Sequence, residues 1–223
     1  MGTTIELKAA DGHTLDAYRA EPSGKPRGGL VLVQEIFGVN GHIRGVADGF
    51  ADEGYLVIAP ALFDRAKRHY ETGYTQEDIQ ASRELMQAMK WENTLADVAA
   101  AAEALRSAGK VGIVGYCWGG TVAWVAAARL PGFACAVPYY GGAIRNMIDD
   151  KPRCPVMCHW GETDHSISME AVKEIEAAHP KILSHVYPGA GHGFNCDQRG
   201  SYHAESAKLA RSRTLDFLQQ YLG

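Results

Sequence analysis

The hydrophobic pattern of the chain switches repeatedly between short unbroken apolar runs and longer stretches with apolar residues three or four apart. Leu30-Val31-Leu32-Val33-Gln34, Tyr55-Leu56-Val57-Ile58-Ala59, Val111 to Val114, Ala134 to Tyr140, Pro155 to Trp160 and Ile182 to Tyr187 are the short runs. Such runs, bounded by turn residues, predict strands buried on both faces. Between them, Ile43 to Glu53, Glu77 to Lys90, Leu95 to about Gly109, Trp118 to Arg129, about Ser168 to Ala178 and about Ser201 to Tyr221 show helical spacing. The N-terminus differs. Thr3 to Lys8 and Thr14 to Arg19 flank Asp11-Gly12-His13, a hairpin signal. Phe63 to Tyr74 is polar and aromatic, and predicts a long functional or mobile loop. Alternating strand and helix predicts an α/β fold with a mainly parallel sheet of about eight strands and helices on both faces. There is no internal repeat, linker or low-complexity segment. A single domain over residues 1–223 is the expectation.

One segment breaks the regular alternation. Val111-Gly112-Ile113-Val114-Gly115-Tyr116-Cys117-Trp118-Gly119-Gly120 is a strand, a sharp bend and the start of an Ala-rich helix. Gly-x-Cys-x-Gly has the spacing of a hydrolase nucleophile elbow, with sulfur in place of a hydroxyl. Glycines around the bend remove side chains that would collide with strand and helix. The opening helix presents an N–H at Trp118 toward a developing oxyanion and favours negative charge on the Cys117 sulfur. A buried structural cysteine is the plain alternative for any lone thiol.

A thiol nucleophile needs a base, and the base needs an orienting group. The strand ending at Trp160 exits into Gly161-Glu162-Thr163-Asp164-His165. The next ends at Tyr187 and exits into Pro188-Gly189-Ala190-Gly191-His192-Gly193-Phe194. Both loops follow parallel strands and fall at the carboxyl edge of the sheet, as Cys117 does. The order Cys117, Asp164, His192 matches nucleophile, acid and base. Asp164 alone could be a turn residue, and His192 alone a surface loop histidine. Glu162 is the second acid of its loop and the fallback. Glu35 ends the run Leu30 to Gln34, followed by Ile36 and Phe37. In such a fold this loop supplies the second oxyanion N–H, at Ile36. A carboxylate beside the sulfur would oppose a second negative charge and keep the resting thiol neutral.

Bulk properties narrow the rest. The chain has 22 Lys and Arg against 26 Asp and Glu, for a net charge of −4. No basic block points to nucleic acid or an anionic membrane surface, and no apolar run is long enough to span a bilayer. Five cysteines without dense spacing suit a reducing cytoplasm. Residues 1–6 lack the basic and apolar regions of a signal peptide.

Three segments resemble the dienelactone hydrolase family of α/β hydrolases. They are Gln34-Glu35-Ile36-Phe37-Gly38-Val39-Asn40, Gly115 to Gly120, and Gly189-Ala190-Gly191-His192-Gly193-Phe194. Pro60, Leu62, Phe63 and Arg213 to Leu218 extend the likeness nearly end to end. The resemblance implies opening of an unsaturated lactone such as dienelactone, in aromatic-compound breakdown, through a thioester on Cys117. It implies His192 as base, Asp164 as its partner and Glu35 as the thiol-activating carboxylate. Ile36 and Trp118 would give the oxyanion N–H groups. No metal or organic cofactor is implied, and a monomer acting on a small lactone or ester is usual. Phe37, Tyr139, Phe194 and Cys196 are the expected pocket residues.

One departure concerns substrate charge. The family members that act on dienelactone grip its carboxylate with two arginines. Here those positions hold Cys196 and Ile79, leaving Arg83 or Arg199 as replacements. A broad carboxylesterase or thioesterase is one rival reading. A non-catalytic ligand-binding or redox-sensing relative is the other.

Overall fold

Asp11 and Gly12 close the N-terminal hairpin. Gly12 takes φ +90°, where a side chain would be strained. Asp11 Oδ1 accepts from the His13 N–H at 3.1 Å. β1 (Thr3–Lys8) and β2 (Thr14–Ala20) pair antiparallel, from Thr3 opposite Arg19 to Lys8 opposite Thr14. The computed structural model describes residues 2–223, which fall into two compact units. One holds the residues up to Gly112 with Leu222; the other holds Ile113–Tyr221 with Gly223.

In the first unit β2 pairs antiparallel with β4 (Leu56–Pro60), and β4 pairs parallel with β3 (Gly29–Val33). Every residue of β3 and β4 is buried, which is why their sequences are unbroken apolar runs. α1 (Gly41–Asp52) starts at Asn40, whose side chain accepts from the Ile43 N–H at 3.2 Å. α2 (Gln76–Ala88) opens with a reciprocal capping box between Thr75 and Asp78. α3 (Trp91–Ala104) buries Thr94, Asp97, Val98 and Ala101.

The segment expected to be a long functional or mobile loop is irregular after its first turn and is hydrogen-bonded to several other elements. It opens with a 3-10 turn at Leu62–Arg65. The buried Asp64 carboxylate accepts from the N–H groups of Asp16 at 2.9 Å and His69 at 2.8 Å. Arg65 forks onto the fully buried Asp97 at 2.7 and 2.8 Å, and reaches Asp11 at 2.6 Å. The Tyr70 hydroxyl lies 3.0 Å from Ser82 Oγ, and Asn40 Nδ2 donates to the Tyr74 hydroxyl at 3.0 Å.

β5 (Val111–Tyr116) leads into the second unit. There the strand order is β5, β6 (Phe133–Tyr139), β7 (Met157–Gly161), β8 (Leu183–Tyr187). β7 and β8 run parallel in register from Met157 opposite Leu183 to Gly161 opposite Tyr187, and β6 meets β7 at Tyr139 opposite His159. α4 (Trp118–Arg129) is buried from Gly119 through Ala128, so its sequence is apolar all round. α5 (Met169–Ala178) is capped by Ser168. α6 (Ala204–Leu222) starts three residues later than expected, where the His203 ring accepts from the Ser206 N–H at 3.3 Å. A 3-10 turn at Ile144–Met147 was not foreseen. The class is the expected one, α/β with a mainly parallel eight-strand sheet flanked by helices, the hairpin side being antiparallel. Among the described residues, no helix is long and apolar enough to cross a membrane.

Removing one partner of the Arg65–Asp97 pair leaves a charge in a site built for its counterpart. Asp97→Ala is expected to cost about 3–5 kcal/mol in urea unfolding. A loss below about 1 kcal/mol would contradict the anchoring role given to this pair.

Candidate active site

The bend at Cys117 is forced by its surroundings. Cys117 sits at φ 56°, ψ −118°, a region that side chains rarely adopt. Its N–H donates to the Tyr139 carbonyl at 3.0 Å, and its own carbonyl accepts from Gly120 and Thr121. A Cβ at Gly115 would stand 1.9 Å from the Gly119 oxygen, and one at Gly120 would stand 2.4 Å from the Tyr139 oxygen. Neither backbone group can yield, so both positions require glycine. The side chain at 117 therefore projects from the end of β5, and Trp118 opens α4.

The acid and histidine arrive on two loops stitched to each other. A Cβ at Gly161 would lie 2.5 Å from the Ala190 oxygen, so only glycine allows this approach. Thr163 donates to the Ala190 carbonyl through its N–H at 2.9 Å and its hydroxyl at 3.0 Å. Glu162 accepts from the Gly189 N–H at 2.9 Å. That contact makes Glu162 an exposed loop fastener rather than a partner for the imidazole. Asp164 is buried, with one oxygen accepting from the Ser166 N–H at 2.8 Å. Its other oxygen lies 2.7 Å from His192 Nδ1, and His192 Nε2 lies 3.0 Å from Cys117 Sγ. Asp164 thus uses one oxygen for the turn and the other for the imidazole.

Electrostatics follow from this line of three groups. Burial pulls the His192 imidazole toward its neutral form. The charge that the Cys117 sulfur carries when ionised, with the bonds to Asp164 and Cys117, outweighs it, raising the imidazole from 6.5 to about 10. Burial pushes the Asp164 carboxyl up. The His192 hydrogen bond and charge, with the Ser166 contacts, outweigh it and hold the carboxyl below its usual range.

Other predicted residues are placed as follows. Glu35 and Ile36 follow β3 in the first unit and are buried, while Cys117, Trp118, Asp164 and His192 belong to the second. Phe37 is buried edge-on to Tyr74, with ring centres 4.6 Å apart. Arg83 is exposed on α2. Arg199 is half-buried, its guanidinium pressed against Gly193, where a Cβ would lie 2.3 Å from Nη1. Phe194 is buried among Tyr139, Tyr140 and Tyr187, and Cys196 is buried. Tyr139 is buried as well, with its hydroxyl 2.6 Å from Thr214 Oγ1. The neighbouring Tyr140 was missed. It sits at φ 37°, and its ring meets the His192 ring edge-on with centres 5.2 Å apart. The signal available was its position at the end of β6, one strand over from the elbow.

A mainly parallel α/β fold with a thiol on a strand-to-helix bend, bonded to a histidine that an aspartate holds, defines an α/β hydrolase. The family model for the dienelactone hydrolase family matches residues 15–222, and the chain belongs to that family. A relative from Synechocystis sp. named "Putative carboxymethylenebutenolidase" is 37% identical, covering 92% of this chain and 91% of its own. The "Carboxymethylenebutenolidase" of Pseudomonas putida is 35% identical, covering 96% of this chain and 94% of its own. A solved structure from Klebsiella pneumoniae subsp. pneumoniae, named "Putative Dienelactone Hydrolase", superposes with a TM-score of 0.85. It is 32% identical and covers 98% of this chain and 100% of its own. The chain is thus a carboxylic ester hydrolase, acting on a lactone or ester bond.

The His192 environment yields a sign that can be tested. An imidazole raised above its unfolded value stabilises the fold fully below pH 6.5, and that contribution is lost as pH rises through about 10. Cys117→Ala removes the sulfur and with it one of the two partners of the imidazole. His192, followed by NMR, is expected to titrate at clearly lower pH than in the native protein. An unchanged titration would show that the sulfur does not govern the imidazole.

Proposed function

We propose that the chain opens an enol lactone of the dienelactone type through a thioester on Cys117. The observation that carries this reading is the line of hydrogen bonds at 3.0 and 2.7 Å from Cys117 through His192 to Asp164. His192 takes the thiol proton and the thiolate adds to the lactone carbonyl. The Trp118 and Ile36 N–H groups stabilise the oxyanion. Collapse of the tetrahedral adduct breaks the ring C–O bond, and the enolate leaves with the proton held by His192. His192, kept in one orientation by Asp164, then removes a proton from water. The resulting hydroxide equivalent displaces the sulfur, giving a carboxylic acid and free Cys117. A delocalised enolate is a good leaving group, which suits a thiolate nucleophile.

Glu35 completes the proposal as the carboxylate that controls ionisation of the thiol. Phe37, Phe194 and Cys196 line the substrate pocket, and Arg83 or Arg199 takes a substrate carboxylate. The whole chain acts as one domain and as a monomer in the cytoplasm, in the breakdown of aromatic compounds. The names of the relatives support the lactone assignment. Ile79 and Cys196, at the positions of the family's carboxylate-gripping arginines, favour neutral enol esters as a second reading of the substrate.

Cys117→Ala is expected to lower kcat by at least about 10³-fold, and His192→Ala by a similar factor. Full activity in Cys117→Ala would end the proposal. Glu35→Gln should depress turnover with the unfolding free energy within about 1 kcal/mol of native. Native turnover in that variant would remove Glu35 from the mechanism. A kcat/KM comparison of cis- and trans-dienelactone with a neutral enol lactone separates the two substrate readings.

A further inference from the structure

A buried polar chain lies behind the proposed catalytic line, and the reaction makes no direct use of it. His159, in the middle of β7, is fully buried. Its Nδ1 lies 2.8 Å from the Tyr187 hydroxyl and its Nε2 lies 3.0 Å from Thr214 Oγ1. Thr214 Oγ1 also meets the Tyr139 hydroxyl at 2.6 Å. Tyr139, His159, Tyr187 and Thr214 are each no more than 1% exposed. One imidazole in the middle of β7 thus joins the ends of β6 and β8 to the middle of α6. A neutral imidazole presents one donor and one acceptor, which matches two hydroxyl partners on opposite nitrogens. Burial, then the charges of His185 and Arg213, hold this ring in its neutral form. The Arg213 guanidinium stands 5.4 Å from the centre of the Tyr187 ring.

The backbone carbonyls of the three strand residues in this chain hold the parts of the proposed site. The Tyr139 carbonyl accepts from the Cys117 N–H at 3.0 Å. The His159 carbonyl accepts from the N–H of Tyr140, whose ring abuts His192. The Tyr187 carbonyl accepts from Glu162 N–H at 3.0 Å and Ala190 N–H at 3.3 Å, each two residues before Asp164 or His192. Every piece of the line from Cys117 to Asp164 therefore hangs from a residue that the His159 chain links to the next.

We propose that His159 is a positioning residue, whose bonds to Tyr187 and Thr214 fix the relative placement of Cys117, His192 and Asp164. The inference rests on the thiol mechanism proposed above. Displacement of about 1 Å among reacting groups lowers rates by up to about 10²-fold, while substrate binding elsewhere in the pocket is untouched.

Thr214→Val removes the bond to His159 Nε2, and with it the bond to the Tyr139 hydroxyl, without a change of shape, and Tyr187→Phe removes the bond to His159 Nδ1 while keeping the ring. Each is expected to lower kcat about tenfold or more, with KM within about twofold of native. Each should also shift the His192 titration followed by NMR. Thr214→Ser, which keeps the hydroxyl, should restore both readouts. The proposal is overturned if Thr214→Val and Tyr187→Phe lose only thermal stability, or raise only KM, with native kcat and native His192 titration. Cys117→Ala run alongside separates the two levels. Activity surviving in Cys117→Ala condemns the thiol mechanism, whereas activity lost there but intact in the Thr214 and Tyr187 variants condemns the positioning role alone.

Discussion

The imidazole of His192 is the group on which the proposed chemistry depends, because it touches both other members of the line. One nitrogen reaches the Cys117 sulfur and the other the Asp164 carboxylate. Neither of those two contacts the other in a way that could replace it. Burial on its own would strip the ring of its proton. The two partners reverse that preference and carry the imidazole to about 10. The imidazole can therefore hold the proton that the thiol gives up when a carbonyl arrives.

Holding three side chains in line is a task for the backbone. Cys117 stays in its strained conformation because Gly115 and Gly120 let the carbonyls of Gly119 and Tyr139 close around it. Asp164 and His192 come from different loops, yet Gly161 lets the Ala190 carbonyl approach and Thr163 binds it twice. Strain at position 117 is sustained because fixed backbone contacts on both sides over-determine it. Behind these loops, buried hydroxyls and one neutral imidazole fill the space with satisfied hydrogen bonds, where an unpaired group would be costly.

Much of this was legible in the sequence. Apolar runs such as Leu56–Pro60 located strands to within one or two residues, since a strand covered on both faces leaves no other pattern. Cys117, Asp164 and His192 could be picked out by their places after successive strands, because parallel strands deliver their following loops to one edge. Other features were hidden for physical reasons. Tyr139 and Tyr140 are adjacent and chemically identical. Only the alternation of the pleat and the turn at Tyr140 decide that one faces Thr214 and the other His192. The segment from Phe63 to Tyr74 looked loose because its anchors, Asp16 and Asp97, are remote in sequence. The bonds of His159 are not legible in the sequence, since a histidine within a strand carries no sign of what its two nitrogens meet.

The central claim is that the Cys117 sulfur becomes acylated during turnover. Rapid acid quench of the enzyme with a slowly hydrolysed enol lactone, followed by peptide mass spectrometry, addresses it directly. The account predicts the full mass of the opened lactone on the peptide containing Cys117, appearing and decaying at rates compatible with kcat. Turnover at the same rate with that peptide never modified, or with the mass found on another residue, would contradict it.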